Sequence, residues 1–521
     1  MLHHAVSQTN AAKISRKTSV YNYAIVAFAA IGSIIYGYDS SVIATTLGQP
    51  TFFTYFNLAT AGEPGYEYTT QITGACNGLA QAGGFFGCII NSWTADRFGR
   101  IPSFQIASAF CIIGGAIQAA AVNVPMLLVF RFVNGLGVGM LLVVTPMYLS
   151  ELSPPQTRGF LVGQHGAFLA IGYNIAAWTG FGCYFAKNGS LAWRLPLAMQ
   201  VIFPLILLAG SFWMPRSPRW LITQDRGDEA LAVISRLHQS PSDPDNVFAT
   251  AEYNQMFAQI EFEKIQRNGR MGFVSGWKLL MTKPSYRRRA ALGFGIMFGA
   301  QCTGVLVINN YQVTLFPGLG VGPALSLALY CVYLFVALIG NTTCGWIVDR
   351  LGRRKMFLIG LVGSACALVG ETIFAALSEK TTNRVILGFA VFFIFTYIPF
   401  FSTFVDTTMY IYMSEIFPSE VRSHGVALSV AGQWLATICF LQSAPTAFAN
   451  IGYKFYLVFI ICTIALWFAV YFFFPETQNL SLEEMAKMFG DDVAVTFEKE
   501  IEAAELDEKN RPAHVEVADK V

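Results

Sequence analysis

Two residues of opposite charge stand alone in long apolar stretches of the sequence. Asp39 is the only charged residue in positions 18–62, and Arg131 is the only one in positions 101–150. An aspartate at the centre of a membrane-spanning helix costs about 2.5–3.5 kcal/mol on insertion scales, and opposite charges cost less together than apart. The two side chains are therefore predicted to meet. An acid beside one cation in apolar surroundings can load and release a proton. The alternative is a permanent pair that only fixes two helices, but ionisable groups inside membranes are usually functional.

A second lone acid, Asp406, lies in the apolar segment FSTFVDTTMYIYMSE. It precedes Glu415 by nine residues, which places it about 13 Å deeper along a helix. No cation in the same helix is near enough to neutralise it. Two interpretations stay open: Asp406 faces a cavity and contacts substrate or water, or it is a protonated, hydrogen-bonded residue in a contact between helices.

Side-chain amides and aromatic rings are grouped in two further apolar segments, AQCTGVLVINNYQ and GQWLA. Amides both donate and accept hydrogen bonds and rings cover apolar C–H surfaces, so that together they suit a polyhydroxylated ligand. Any single amide is better explained by a hydrogen bond between helices, worth under about 1 kcal/mol. As a set, they favour substrate binding. The residues assigned to it here are Gln301, Asn309, Asn310, Tyr311, Gln433 and Trp434.

The composition places these residues in a membrane. Of 521 residues, 54% are hydrophobic and 13% are charged, and the mean hydropathy is +0.49, whereas soluble proteins carry about 25% charged residues. The net charge of +2 gives no indication of nucleic-acid binding. The ten cysteines show no CxxC spacing and are interpreted as packing residues. No metal, cofactor or ATP-binding loop is expected.

About twelve apolar segments are long enough to cross a bilayer of roughly 30 Å. The first is too long for a cleavable signal peptide and is expected to stay as an anchor. Lys and Arg are concentrated in the 2–3 and 8–9 loops and before the seventh segment, so the positive-inside rule predicts that both termini are cytoplasmic. The segments lie near 22–44, 70–92, 102–122, 125–147, 159–183, 192–213, 290–314, 323–347, 355–377, 385–413, 424–448 and 454–474.

The sequence also contains an internal repeat. DRFGR at Asp96–Arg100 returns as DRLGR at Asp349–Arg353, and ELSPPQTR at Glu151–Arg158 returns as EIFPSEVR at Glu415–Arg422. We therefore predict an all-α integral membrane protein with twelve transmembrane helices in two six-helix halves. Parallel halves of this kind hold a substrate site between them near the midplane. The predicted order is a cytoplasmic segment 1–21, the halves 22–214 and 290–474 with a helical cytoplasmic linker 215–289 between them, and a tail 475–521.

The repeated boxes place charges at helix ends. Exposed ion pairs contribute about 0–1 kcal/mol each, but several together can bias an equilibrium between two states. We expect them to close the cytoplasmic face when the site opens outward and to break when it opens inward. The residues assigned to this gate are Asp96, Arg97, Arg100, Glu151, Arg158, Arg219, Asp349, Arg350, Arg353, Glu415 and Arg422.

Together with GYDSSVI, PRSPRWL, GQWLA and PETQNLSLEEM, these boxes resemble the sugar porter family of the major facilitator superfamily, in particular its fungal sugar-transporter-like members. The resemblance runs from about residue 22 to 488 and implies the major facilitator fold and a transporter, not an enzyme. In proton-coupled members the acid of the GYD box, opposite the helix-4 arginine, is the proton site; here these are Asp39 and Arg131. The resemblance also implies sugar contacts for Tyr36, Gln301, Gln433 and Trp434.

Several positions depart from the family pattern. In helix 7, Ala300 and Leu306 replace amides, and in helix 10, Asp406 replaces a glycine. Losing the partner of a buried sugar hydroxyl costs about 1–3 kcal/mol, so an ordinary hexose is not indicated, and Asp406 favours neutral or cationic ligands over anionic ones. Tyr410 replaces a tryptophan, and Arg216 replaces the acid of the PESPR box. Gly166 stands at the position of the helix-5 glutamine, and the nearby Gln164 and His165 are out of register with it. Gln164, Asp406 and Tyr410 complete the predicted substrate site.

The expected function is secondary active transport, as proton-coupled symport of a sugar or sugar-like neutral solute by alternating access. The expected partners are the solute, protons and the lipid bilayer, and no nucleic acid is expected. The protein is expected to be a monomer in the plasma membrane. Facilitative uniport of a sugar and transport of a non-sugar metabolite stay open as alternatives. A nutrient sensor that binds without transport would usually have a longer cytoplasmic tail.

Overall fold

The computed structural model describes residues 19–60, 63–154, 158–186, 189–237, 247–267, 272–315, 322–378 and 383–478, and then 480, 485 and 487–491. All regular secondary structure in these residues is helical, as the sequence predicts. The predicted tail beyond position 491 and the N-terminal segment before position 19 lie outside the described residues.

Twelve long helical segments carry the fold, and we number them in chain order. Helices 1–6 are Val20–Leu47, Tyr66–Arg97, Arg100–Ala119, Val124–Leu152, Arg158–Tyr184 and Gly189–Trp213. Helices 7–12 are Pro284–Val313, Pro323–Leu351, Arg353–Ser378, Arg384–Glu415, Arg422–Phe448 and Gly452–Phe473. Each falls on one of the predicted segments, with ends shifted by a few residues.

Among the described residues, ten of these helices are long and apolar enough to cross a membrane; helices 2 and 5 are the two less apolar ones. The packing explains the difference. Helix 2 packs against helices 4 and 11, and helix 5 packs against helices 1 and 8, so that much of the surface of each helix contacts other helices. Helices surrounded by protein can carry Gly, Asn, Gln and His without exposing polar groups to hydrocarbon.

Two helices are irregular close to the centre of the molecule. Helix 7 is interrupted at Thr303 and Gly304, and Gly304 has a φ of 88°, which favours glycine. Helix 10 contains a π-helical turn at Ser402–Asp406, shortly after Pro399. Proline removes a backbone donor from the helix, and single π turns are frequent at functional sites.

The linker folds into four helices, Pro218–Thr223, Gly227–Leu237, Val247–Arg267 and Phe273–Thr282, and the third contains the helix predicted near 249–267. The first three share a small apolar core. Helix 1 begins on the same face, because Asn22 Nδ2 donates to the carbonyl of Leu152 at 3.2 Å and Arg236 stacks on Tyr21. We call this side of the molecule the linker face and the other the opposite face.

Candidate functional site

The structure brings the two lone charges of the N-terminal half together. Arg131 Nη1 lies 2.8 Å from Asp39 Oδ1, and Asn134 Nδ2 donates to the same oxygen at 2.5 Å. Arg131 and Asn134 are three residues apart and therefore share one face of helix 4. Both partners of the ion pair are buried, with side-chain exposures of 1% for Arg131 and 8% for Asp39. The carboxylate thus has a cation and an amide, the arrangement that a buried charge requires.

A central cavity lies among helices 1, 5, 7, 8 and 10, and Tyr36, three residues before Asp39, is its lining residue from helix 1. Its volume is about 30 Å³, which admits one or two water molecules and no sugar. Its walls are mostly aromatic and aliphatic, with a few polar groups between them. They comprise Tyr36, Tyr173, Gln301, Val305, Leu306, Asn309, Tyr333, Leu334, Ala337, Asn341, Ile398, Phe401, Asp406 and Tyr410.

Most of the substrate residues predicted from the sequence meet at this cavity. Tyr36, Gln301, Asn309, Asp406 and Tyr410 line it. A chain of hydrogen bonds crosses between the halves behind them: Tyr410 donates to Gln433 at 2.9 Å, and Gln433 donates to Tyr36 at 2.9 Å. The Trp434 and Tyr36 rings pack edge to face, with their centroids 5.8 Å apart.

The structure does not bring three of the predicted substrate residues to the cavity. Gln164 and Asn310 each donate to a carbonyl in their own helix, one turn earlier, at 3.1 and 2.9 Å. Asn310 follows Asn309 directly, and consecutive helical residues point about 100° apart, so only one of them faces the cavity. Tyr311 lies closer to the opposite face, where its hydroxyl donates to the carbonyl of Leu441 at 2.9 Å.

Three cavity residues were missed in the sequence analysis. Tyr173 and Tyr333 are aromatic residues in apolar helices and carry no distinguishing local signal. Asn341 could have been found, since it is the one amide of helix 8. Its Nδ2 donates to Asp406 Oδ2 at 3.2 Å and its Oδ1 accepts from Thr407 at 2.8 Å.

Asp406 differs from Asp39 in its partners. It is the last residue of the π turn of helix 10 and reaches the cavity wall. Among the described residues that line the cavity there is no Lys, Arg or His. Its one hydrogen bond within the described part of the chain comes from Asn341.

Unsatisfied acceptors add to the polarity of the cavity. In the described structure, the buried oxygens Gln301 Oε1, Asn309 Oδ1 and Tyr333 Oη have no hydrogen-bond partner. Buried polar atoms are normally paired. These oxygens and the Asp406 carboxyl therefore fit a ligand that donates hydrogen bonds, as hydroxyl groups do.

At the linker face, each half contains the same bidentate ion pair. Arg100 contacts Glu151 through two bonds of 2.9 and 2.6 Å, and Arg353 contacts Glu415 through two bonds of 3.2 and 2.8 Å. Both pairs are buried. A hydroxyl completes each one, from Ser217 to Glu151 at 2.6 Å and from Thr477 to Glu415 at 2.9 Å.

Other gate residues join the two halves. Asp96, at the end of helix 2, accepts from Ser423 at the start of helix 11, at 2.6 Å. Asp349, at the end of helix 8, accepts from the backbone N–H of Phe160 at the start of helix 5, at 2.9 Å. Each carboxylate therefore meets the N-terminus of a helix from the other half, where a negative charge is favoured.

The remaining gate residues fall into two groups. Arg422 Nη1 lies 3.8 Å from Glu151 and bridges the halves, and Arg219 donates to Ser419 at 2.8 Å and joins the linker to the C-terminal half. Arg97 and Arg350 are exposed. The side chain of Arg158 is outside the described part of the structure.

The opposite face is closed as well. The hydroxyls of Ser41 in helix 1 and Tyr330 in helix 8 share a hydrogen bond of 2.8 Å, and Asn77 of helix 2 donates to Tyr311 of helix 7 at 3.4 Å. Both contacts join one half to the other. With the linker face also joined, the small central cavity is occluded from both sides.

The comparisons with known proteins agree with this architecture. The model of a family described as "Sugar (and other) transporter" matches residues 25–489. The chain is 33% identical to the MFS-type transporter criB of Aspergillus cristatus over 463 residues, 89% of this chain and 92% of that one. It is 28% identical to a high-affinity glucose transporter of Kluyveromyces lactis over 91% of this chain and 86% of that one. A quinate permease of Neurospora africana is 30% identical, over 96% and 97% of the two chains.

A solved structure with the same fold is that of the proton:xylose symporter XylE of E. coli. It superposes with a TM-score of 0.78 at 22% identity, over 91% of this chain and all of that one. The major facilitator fold expected from the sequence is therefore confirmed, and the matched relatives are transporters.

Proposed function

We propose that this multi-pass membrane protein is a proton-coupled symporter. The chain belongs to the sugar (and other) transporter family. The solute is a sugar or a sugar-like neutral molecule, moved inward by alternating access. One observation carries the proposal: Asp39 is ion-paired with Arg131 inside the helix bundle, 2.8 Å apart. Asp39 lies on helix 1, which also contributes Tyr36 to a central cavity lined with hydrogen-bonding groups.

The proposed cycle begins when water from the opposite face reaches Asp39. A proton on the carboxylate removes the negative charge that holds Arg131, which weakens the contact between helices 1 and 4. Release of the proton toward the linker face restores the ion pair, as in the occluded structure. Alternation between these two charge states is what couples the proton to the solute.

The energy available from one proton is sufficient for active uptake. One elementary charge that moves through 100 mV supplies about 2.3 kcal/mol. At 1.36 kcal/mol per tenfold change, this corresponds to roughly fiftyfold accumulation of a neutral solute. No nucleotide needs to be hydrolysed.

The proposed orientation places the linker face in the cytoplasm, because the Lys- and Arg-rich loops lie there. The paired acids and arginines of this face would then form the cytoplasmic gate. Contacts from Asp96, Asp349 and Arg422 close it between the halves, and Arg219 joins the linker to the C-terminal half. Because the chain belongs to a family of sugar transporters, we place the protein in the plasma membrane.

The altered cavity residues support a second candidate, a transporter of a non-sugar metabolite. Leu306, which stands where the family has an amide, lines the cavity and removes a hydrogen-bond partner from a sugar. The quinate permease relative shows that proteins similar to this chain are named for a substrate other than a simple sugar. A uniporter of a sugar would use the same site without a proton.

The test is an uptake panel in yeast that lacks its own sugar transporters. Radiolabelled hexoses, pentoses, polyols and quinate are supplied with and without a protonophore. We expect the cells to take up a neutral polyhydroxylated compound. Without the protonophore its internal concentration should exceed the external one, and with the protonophore the two should become equal. Asp39→Asn should abolish the accumulation. Glu67→Gln, which changes an exposed acid, is the matched control.

Each rival has its own outcome in the panel. Uptake that is unaffected by the protonophore and by Asp39→Asn indicates a uniporter. Proton-dependent uptake confined to quinate indicates transport of a non-sugar metabolite.

A further inference from the structure

Asp406 is the unpaired counterpart of Asp39, and it lies in the other half of the molecule. We propose that Asp406 is a second proton-binding site, which carries a proton whenever the central cavity is closed. The inference rests on the proposed function, because it assigns the charge of a second acid in the same transport cycle.

The described residues that line the cavity of the Asp406 carboxyl provide no positive charge to balance an ionised form. The titratable groups that line its cavity come from helices 1, 5, 8 and 10 and are all tyrosines: Tyr36, Tyr173, Tyr333 and Tyr410. Helix 9 packs on the π turn through Gly360, and helix 7 contributes amides and aliphatic side chains. The nearest histidine, His165, lies behind the Tyr410 ring at 4.4 Å and is hydrogen-bonded to Ser33.

A single neutral donor faces the acid. Asn341 Nδ2 lies 3.2 Å from Asp406 Oδ2, and the amide is held in this orientation because its Oδ1 accepts from Thr407 at 2.8 Å. One amide does not compensate a carboxylate that has left water. Asp39, by comparison, has an arginine at 2.8 Å and an amide at 2.5 Å. The two sites are therefore built for different charge states.

The size of the cavity limits what can neutralise Asp406. A volume of about 30 Å³ holds one or two waters and excludes an organic cation. A proton on the carboxyl itself removes the uncompensated charge without any further ligand. When the cavity opens, water or the solute reaches Asp406 and the proton can exchange.

The resulting exchange is balanced. The Asp406 carboxyl exchanges its proton with water when the cavity opens to either face and keeps one proton each time the cavity closes, and no electron is transferred. Because Asp406 is protonated while the protein changes conformation in both directions, it moves no net proton, and Asp39 alone sets the number of protons for each solute.

Infrared difference spectroscopy of the empty protein in lipid nanodiscs tests the proposal without a solute. A protonated carboxyl has a C=O stretch separate from the carboxylate bands, and aspartate labelled with ¹³C at the carboxyl shifts only the Asp signal. We expect the labelled wild type at neutral pH to show a protonated Asp band that is absent in Asp406→Asn and present in Asp39→Asn. The label removes any contribution from Glu371, which is also buried.

Two results would overturn the proposal. One is a spectrum of the labelled wild type that lacks a protonated Asp band. This measurement does not depend on the folding of any variant. The other is a band that Asp39→Asn removes and Asp406→Asn retains. Neither result affects the proposed symport. That proposal is tested separately and would be wrong if the protonophore did not change uptake in the yeast panel.

Discussion

The two halves of the molecule are nearly alike at the linker face and different at the centre. At the linker face, Arg100–Glu151 and Arg353–Glu415 repeat the same buried, bidentate ion pair. At the centre, the N-terminal half holds a carboxylate with a cation, and the C-terminal half holds Asp406 with one amide. The ion pairs that both halves share stabilise the fold and the closed linker face. The acids that differ between the halves, Asp39 and Asp406, are the groups to which we assign proton chemistry.

The largest expected effect is the loss of one acid from either linker-face pair. Glu151→Gln leaves Arg100 buried without its ion-pair partner, which costs about 3–5 kcal/mol, whereas in Glu415→Gln the guanidinium of Arg353 keeps Asp349 at 3.0 Å. We therefore expect both variants to lower the apparent melting temperature of the purified protein, and Glu151→Gln to lower it more. Glu229→Gln, in an exposed pair, is the control and should change stability by about 0–1 kcal/mol. A larger loss for Glu415→Gln than for Glu151→Gln would contradict this difference between the halves.

An intermediate effect separates the two central acids. Asn134→Ala removes a hydrogen bond to the ionised Asp39, worth about 1.5–3 kcal/mol, whereas Asn341→Ala removes one to a neutral acid, worth about 0.5–1.5 kcal/mol. The melting temperature should therefore fall further for Asn134→Ala. Asn174→Ala, which removes donation to neutral carbonyls, is the matched control and should resemble Asn341→Ala. Equal losses at Asn134 and Asn341 would show that Asp39 and Asp406 share one charge state.

The smallest effect is expected at the helix ends that join the halves. Asp96→Asn and Asp349→Asn remove charges that are 42% and 23% exposed, so each should cost about 1 kcal/mol or less. The expected readout is faster alkylation of a cysteine placed at Ser92, which lines a cavity of the linker face, with unchanged melting temperature. Asp228→Asn on the linker surface is the control. Unchanged alkylation in both variants would exclude these contacts from the gate.

The sequence predicts the positions of the helices and the pair Asp39–Arg131 because both follow from the cost of placing charge in an apolar span. The repeated boxes likewise predict that charges gather at the helix ends of each half, although they do not predict which of these charges pair. Contacts between the halves, such as Asp349 with the backbone of Phe160, depend on tertiary packing and have no sequence signal.

The cavity was harder to predict for a related physical reason. The interruption at Gly304 changes the helical phase of the segment that follows it, and this decides that Asn309 faces the cavity and Asn310 does not. Tyr173 and Tyr333 were not predicted, because a tyrosine in an apolar helix looks the same whether it lines a cavity or fills a core.

The role of Asp39 is tested most directly in liposomes that contain the purified protein and carry an imposed membrane potential and pH gradient. The measured quantity is the steady-state ratio of internal to external solute, with the compound that the uptake panel identifies. We predict that the wild type concentrates the solute and that Asp39→Asn brings it only to equal concentrations while still exchanging labelled for unlabelled solute. Concentration by Asp39→Asn to the level of the wild type would contradict the account.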